Sequence, residues 1–198
     1  IDSTLFPGLA LFDHRQGRMY EPLCAPPPMV ALVLDPGLEV DTVASNRVDH
    51  RDALRRLRRE HREAFALLSE GISQGDVGCI GAAATLSARV HQTMLENALL
   101  DSALGLAGDL HALGVCRAHS GSLLGILLEP ERTDLSSPRQ YVQERLGSRA
   151  EVLAHRVVGG GAYYLNGEYA HGEQFAHLDL SNRTRGRGGE RECAATTG

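Results

Sequence analysis

The segment Gly114-Val115-Cys116-Arg117-Ala118-His119-Ser120-Gly121-Ser122-Leu123-Leu124-Gly125 gathers most of the residues in this chain that could do chemistry. Glycines at 114, 121 and 125 let a backbone turn tightly and approach a ligand, and amide N–H groups left open at such a turn can hold an anion. The same glycines would serve a purely structural hairpin, so both readings stand. His119 and Ser120 invite a hydrolase reading in which an imidazole activates a hydroxyl. Neighbouring residues on a strand point to opposite faces, however, and Ser120, between Ala118 and Ser122, does not stand in a G-x-S-x-G elbow. Cys116, His119 and His111 have the donor types of a metal site, but no second closely spaced pair completes a ligand set. No metal site is expected, and Cys116 reads as a buried thiol.

Composition narrows the chemistry further. Lys and Arg total 20 in 198 residues, and all 20 are Arg. Without Lys the chain forms no pyridoxal phosphate Schiff base, no lysine aldimine with a carbonyl substrate and no lysine-bearing P-loop. The net charge of −5 is unfavourable for holding duplex nucleic acid by counterion release, so no nucleic-acid partner is expected. No apolar run reaches the roughly 18 residues of a membrane span, and no membrane partner is expected. The start, Ile1-Asp2-Ser3-Thr4, lacks the basic and apolar regions of a secretory signal, and beginning on Ile reads as an excerpt or a processed chain. Cys24, Cys79, Cys116 and Cys193 are widely spaced, which points to free thiols and a cytoplasmic setting.

The elements that must position these residues follow from periodicity. Leu5 to Phe12 and Arg18 to Tyr20 flank a polar turn and read as a hairpin. Met29 to Leu34, bounded by prolines, reads as a buried central strand. From Val48 to about Ser69 the period becomes helical, with Leu54, Leu57, His61, Phe65 and Leu68 on one face. The arginines between 51 and 62 are interleaved with acids at ion-pairing spacings, so a solvated face is expected there; an RNA or protein contact through them and the tail is the rival. Asp76 or Ser73 starts a second helix, with Val77, Ile80, Ala83 or Ala84, Ser87, Val90 and Met94 inward. A third runs from about Leu100 to Leu113, where Gly114 is expected to stop it in the left-handed conformation. Two strand-like runs then surround Gly121-Ser122, followed by a short helix from Pro138 to Leu146 and a strand from Ala150 to Val158. The elements mix without strict alternation. The expected fold is α+β: a two-layer sandwich, a mainly antiparallel sheet with helices on one face. Residues 1–165 form the body, and 166–198, where arginine alternates with glycine and threonine from Asn182 on, a poorly ordered tail.

Three motifs then occur in one order. Ala118-His119-Ser120-Gly121-Ser122-x-x-Gly125-Ile126-Leu127, preceded by Gly114-Val115, resembles the glycine-rich third motif of the GHMP kinase superfamily, in the form found in its L-threonine kinases of cobalamin biosynthesis. Asp2-Ser3-x-x-Phe6-Pro7-Gly8-Leu9-x-Leu11-Phe12-Asp13-His14-Arg15 is similar to the segment after the family's second motif. Leu34-Asp35-x-Gly37-x-Glu39-Val40-Asp41-Thr42-Val43-Ala44-x-Asn46-Arg47 is similar to the next strand and turn. The resemblance implies that residues 1–25 end the family's N-terminal domain and 26–165 form its C-terminal domain. It implies transfer of the ATP γ-phosphoryl group to a small-molecule hydroxyl, with free L-threonine as the indicated substrate. Asp2 would orient or deprotonate that hydroxyl. Asp35, Asp41, Thr42 and Asn46 would line the substrate cleft, or cap the following helix, and His119, Ser120, Gly121 and Ser122 would form the substrate-side turn. Arg117 departs from the apolar residue usual in the motif; an outward-facing Arg on an exposed strand is the simplest account, and pairing with a substrate carboxylate the alternative.

The family's P-x-G-x-G-x-x-S-S loop does not occur in this sequence. ATP and Mg²⁺ are therefore expected to be bound mainly by an N-terminal kinase segment absent from this chain and supplied in cis or in trans, and the chain alone is expected to be inactive. The rival reading is a metabolite-binding or regulatory module that keeps the fold without phosphoryl transfer.

Overall fold

A continuous apolar run held between prolines forms the middle of the main sheet, because every residue of such a strand can be buried. In the computed structural model, which describes residues 8–13, 18–38, 48–118, 121–159, 164–165 and 168–169, this is strand β3, Val30–Asp35. It pairs antiparallel with β5, Leu124–Leu128, on one side and β6, Glu151–Arg156, on the other; β4, Gly114–Arg117, adds to β5 at the edge. The sheet order is β4-β5-β3-β6 and every pairing is antiparallel. The N-terminal hairpin is β1, Leu9–Asp13, with β2, Arg18–Cys24. A short ladder of β7, Tyr164–Leu165, and β8, Glu168–Tyr169, follows the body.

Five helices accompany these strands among the described residues: α1, Arg51–Arg56; α2, Arg58–Gln74; α3, Val77–Gln92; α4, Leu100–Asp109; and α5, Ser136–Leu146. Val30, Leu32, Leu34, Leu124, Ile126, Leu128 and Val152 pack from the sheet against Leu100, Ala103, Leu106, Val142 and Leu146 of α4 and α5. Each fully buried aliphatic side chain contributes roughly 1.5–3 kcal/mol relative to exposure, so this layer dominates the stability of the body. A smaller cluster, Met29, Ile80 and Leu127, draws in Leu68 and Ile72 of α2 and Cys116 of β4.

The α2–α3 hairpin is closed by local chemistry. Gly75 takes φ 66°, and Asp76 N–H donates to the Gly71 carbonyl at 2.8 Å, satisfying the end of α2. Asp76 Oδ1 then accepts from the N–H groups of Gly78 at 2.8 Å and Cys79 at 3.1 Å, so Asp76 rather than Ser73 starts α3.

Three expectations are corrected. Leu54 and Phe65 are largely exposed, and α2 buries Ala64 and Gly71 instead, because α3 approaches on the small-residue face. Ser87 is exposed and Met94 lies beyond the end of α3. Gly114 does not stop α4. That helix ends at Asp109 with His111 at φ 49°, while Ala112 N–H reaches the Ala107 carbonyl at 2.8 Å and His111 N–H the Gly108 carbonyl at 3.1 Å. Gly114 instead opens β4, where an added Cβ would stand 2.1 Å from the Gly81 carbonyl oxygen. The two glycines let α3 and β4 touch backbone to backbone.

Candidate functional site

Antiparallel pairing brings distant segments to one end of the main sheet. Leu34 pairs with Leu124, and Arg117 pairs with Leu124 from the other side. Asp35, Arg117 and the turn between β4 and β5 therefore share that end. Asp35 is positioned but partly committed: its Oδ1 accepts from Gly37 N–H at 2.8 Å, in an Asx turn with Gly37 at φ 66°. It caps no helix. The segment entering α1 is organised by Asp49, which accepts from Arg51 N–H at 2.9 Å. Asp2, Asp41, Thr42, Asn46, His119 and Ser120 lie outside the described residues.

The turn itself is held from two sides. Ala118 N–H donates to the Leu123 carbonyl at 2.9 Å and Gly121 N–H to the Ala118 carbonyl at 2.8 Å. Gly121, at φ 78°, is the turn glycine, whereas Gly114 and Gly125 sit inside strands. The described amides at 118 and 121 are thus spent on the turn and do not form an open anion cradle. From outside, the buried side chain of Asn97 donates through Nδ2 to the carbonyls of Gly121 at 2.7 Å and Ser122 at 3.2 Å, and its Oδ1 accepts from Leu99 N–H at 2.9 Å. Gln92 in turn fixes Asn97 by two backbone bonds, accepting at Oε1 from Asn97 N–H at 2.9 Å and donating from Nε2 to the Asn97 carbonyl at 3.1 Å. A polar network satisfied at each member specifies one geometry, because breaking any link strands a group away from water.

The edge strand β4 is also covered. Thr85 Oγ1 accepts from Val115 N–H at 2.9 Å and donates to the Gly81 carbonyl at 2.9 Å, so α3 replaces the missing strand partner. Cys116 packs against Gly125, and burial pushes its thiol pKa up.

Arg117 does not face outward. Its Nη1 donates to Gln92 Oε1 at 3.1 Å, and its guanidinium lies beside Gly121, where a Cβ would stand 2.7 Å from Nη2. Burial pushes its pKa down, and among the described residues neither Nε nor Nη2 has a hydrogen-bond partner. It lines an open cavity of about 250 Å³ whose described wall also includes His61, Ser87 and His91 and the alanines at 84, 88 and 118. Asn97, Gln92 and Thr85 escaped the sequence reading. Only Asn97 carries a local signal, a capping residue just ahead of the Leu100 helix. Among the described residues no group of three or more His, Cys, Asp or Glu is arranged to hold a metal ion.

No family model matches the chain. It is 30% identical over 162 residues to the L-threonine kinase of Salmonella typhimurium, an alignment covering 81% of this chain and 54% of that protein. It is 32% identical over 134 residues to the L-threonine kinase of Citrobacter freundii, covering 68% of this chain and 46% of that one. The chain spans about half the length of these curated relatives. The homoserine kinase of Cytophaga hutchinsonii superimposes with a TM-score of 0.55 over 80% of this chain and 51% of that chain, at 16% identity, and so shares its fold.

Proposed function

Because the chain belongs to the GHMP kinase superfamily and corresponds to a C-terminal part of its members, we propose that it forms the substrate-side portion of an ATP-dependent kinase acting on the hydroxyl of a small molecule. L-Threonine is the proposed substrate, and cobalamin biosynthesis in the cytoplasm the proposed setting. The observation that carries this reading is the 30% identity to an L-threonine kinase over 162 residues. The described parts of two of its motif segments are compatible with this reading, since Asp35 and the Gly121 turn lie at the same end of the sheet.

The described residues do not fit a nucleotide triphosphate with its Mg²⁺. The amides at 118 and 121 are already bonded within the turn, and no described cluster would take the metal. We therefore assign ATP and Mg²⁺ mainly to an N-terminal kinase segment outside this chain, acting in cis or in trans, and regard the chain alone as inactive. In this arrangement Asp2 would orient or deprotonate the attacking hydroxyl. Asp35, Asp41, Thr42 and Asn46 would line the substrate cleft together with the residues from His119 to Ser122.

The test is ATP-dependent phosphorylation of L-threonine by a form that includes the N-terminal segment, with and without Asp2→Ala. A fall in turnover of roughly 100-fold or more is expected for a lost general base. Unchanged turnover would remove Asp2 from its role, and absence of turnover on every hydroxylated metabolite tried would sink the kinase reading. The missing P-x-G-x-G-x-x-S-S loop favours one rival, a metabolite-binding module without phosphoryl transfer. Calorimetry separates the two: the rival binds an amino acid or other metabolite with no dependence on ATP even in the longer form.

A further inference from the structure

Among the described residues one polar side chain, Asn97, is buried, at 9% exposure. It lies in the connection from α3 to α4, yet it reaches 24 and 25 positions along the chain to the carbonyls of Gly121 and Ser122, at 2.7 and 3.2 Å. Every polar group it has is engaged. Oδ1 accepts from Leu99 N–H, its own N–H donates to Gln92 Oε1, and its carbonyl accepts from Gln92 Nε2 and Leu100 N–H. The partners fix the orientation of the side-chain amide, because a carbonyl only accepts and an N–H only donates.

Gln92, the last residue of α3, joins this tether to Arg117. Its Oε1 accepts from Asn97 N–H at 2.9 Å and from Arg117 Nη1 at 3.1 Å, which uses both lone pairs. The guanidinium so held packs against Gly121, where a Cβ would stand 2.7 Å from Nη2. The turn does not need this support in order to close. Its own bonds, from Ala118 N–H to the Leu123 carbonyl and from Gly121 N–H to the Ala118 carbonyl, already do so, and the β4–β5 ladder carries on from them. A second set of bonds, from outside the hairpin, adds a constraint on how the closed turn is set against the body. A reacting site held to within roughly half an ångström requires support of that kind.

We propose that Asn97 and Gln92 are positioning residues for the phosphoryl transfer: from outside all three sequence motifs they set the Gly121–Ser122 turn, and through it the substrate side of the site. The inference rests on the kinase reading above and adds to it two residues that act through the turn. Loss of either tether displaces the turn that faces the hydroxyl substrate. It leaves alone the nucleotide, which is assigned to the N-terminal segment.

The experiment is steady-state kinetics of L-threonine phosphorylation by a form that includes the N-terminal kinase segment, for the wild type, Gln92→Ala and Asn97→Asp. Asn97→Asp keeps the shape of the side chain and the acceptor for Leu99 N–H but loses the donor to both turn carbonyls. In each variant KM for L-threonine should rise about fivefold or more and kcat/KM fall about tenfold or more, with KM for ATP within about twofold of wild type. A role in stability alone moves neither KM, because loss of folded enzyme lowers only the apparent kcat. If Asn97→Asp does not fold, Gln92→Ala decides, since Gln92 is half-buried at a helix end where alanine is well tolerated. Gln92→Met, which keeps the volume and loses both bonds, carries the same expectation. KM for L-threonine within twofold of wild type in folded Gln92→Ala and Gln92→Met, or KM for ATP rising in step with it, overturns the proposal and leaves the kinase reading standing. A wild-type enzyme without turnover on L-threonine sinks the substrate assignment itself, and this proposal with it.

Discussion

Arginine does opposite things in two regions of this molecule. Along α1 it faces solvent and is answered locally: Arg51 meets Asp49 at 2.8 Å and Arg55 meets Asp52 at 3.0 Å, with all four side chains mostly exposed. At the end of β4, Arg117 is drawn beneath a turn, bonded to Gln92, with Nε and Nη2 unpartnered among the described residues. The first region has many charges and little energetic consequence, because water screens each pair. The second sets one part-buried guanidinium beside the turn glycine, Gly121. Density of charge is therefore a poor guide to a functional site, and the environment of an individual charge a better one.

The contrast can be broken or sharpened by substitution. The largest effect belongs to Gly114→Val, whose Cβ would stand 2.1 Å from the Gly81 carbonyl and force α3 off β4. Chemical denaturation should show a loss of about 3 kcal/mol or more, or no folded protein. Asn97→Ala removes the bonds to the Gly121 and Ser122 carbonyls and to Leu99 N–H. It should cost about 2–3 kcal/mol in the same measurement, since each lost buried bond contributes about 1 kcal/mol.

A smaller effect is expected at Asp76, whose pKa is held below its ordinary 3.8 chiefly by the backbone bond from Cys79, with further bonds from the Cys79 side chain and Gly78 N–H. A depressed folded pKa means stabilisation that is present above the unfolded carboxylate range and lost as pH falls through the lower, folded value. Thermal unfolding of Asp76→Ala should show a reduced Tm at pH 7, and the gap to wild type should narrow when the scan is repeated near pH 3. Smallest of all is Arg55→Ala, which should leave the Tm unchanged within error, because its partner is an exposed Asp three residues away. A large drop there would abolish the distinction between the two regions.

What was legible in the sequence was what is locally encoded. The run between prolines announced β3, an Asx residue before an apolar period announced the start of α3, and Gly121-Ser122 announced the β4–β5 connection. The common end of the sheet shared by Asp35 and the turn followed once the strands paired. Long-range contacts were not legible. Gly114 looked like a helix stop because glycine favours that role, but its partner is Gly81, on a helix 33 positions away. Leu54 and Phe65 fit the helical period yet face outward, since α3 selected the face bearing Ala64 and Gly71. Arg117 read as an ordinary exposed residue because nothing nearby in sequence reveals that Gln92 reaches across to it. Asn97 is tied to the turn across 24 positions, a pairing that only the folded chain displays.

The central claim is that the shape of the turn at Gly121, beside the Arg117 guanidinium, serves a reacting substrate rather than the fold alone. Its most direct test is kcat/KM for L-threonine phosphorylation by a form that includes the N-terminal kinase segment, comparing wild type with Gly121→Ala. The backbone at φ 78° and the contacts at 2.6 Å to Leu95 and 2.7 Å to Arg117 leave no unstrained place for the added methyl group. With circular dichroism showing a retained fold, kcat/KM should fall about 100-fold, the scale expected when positioning is lost by an ångström. A folded Gly121→Ala protein whose kcat/KM stays within a factor of about two of wild type would contradict the claim, because displacement of the turn would then not reach the substrate.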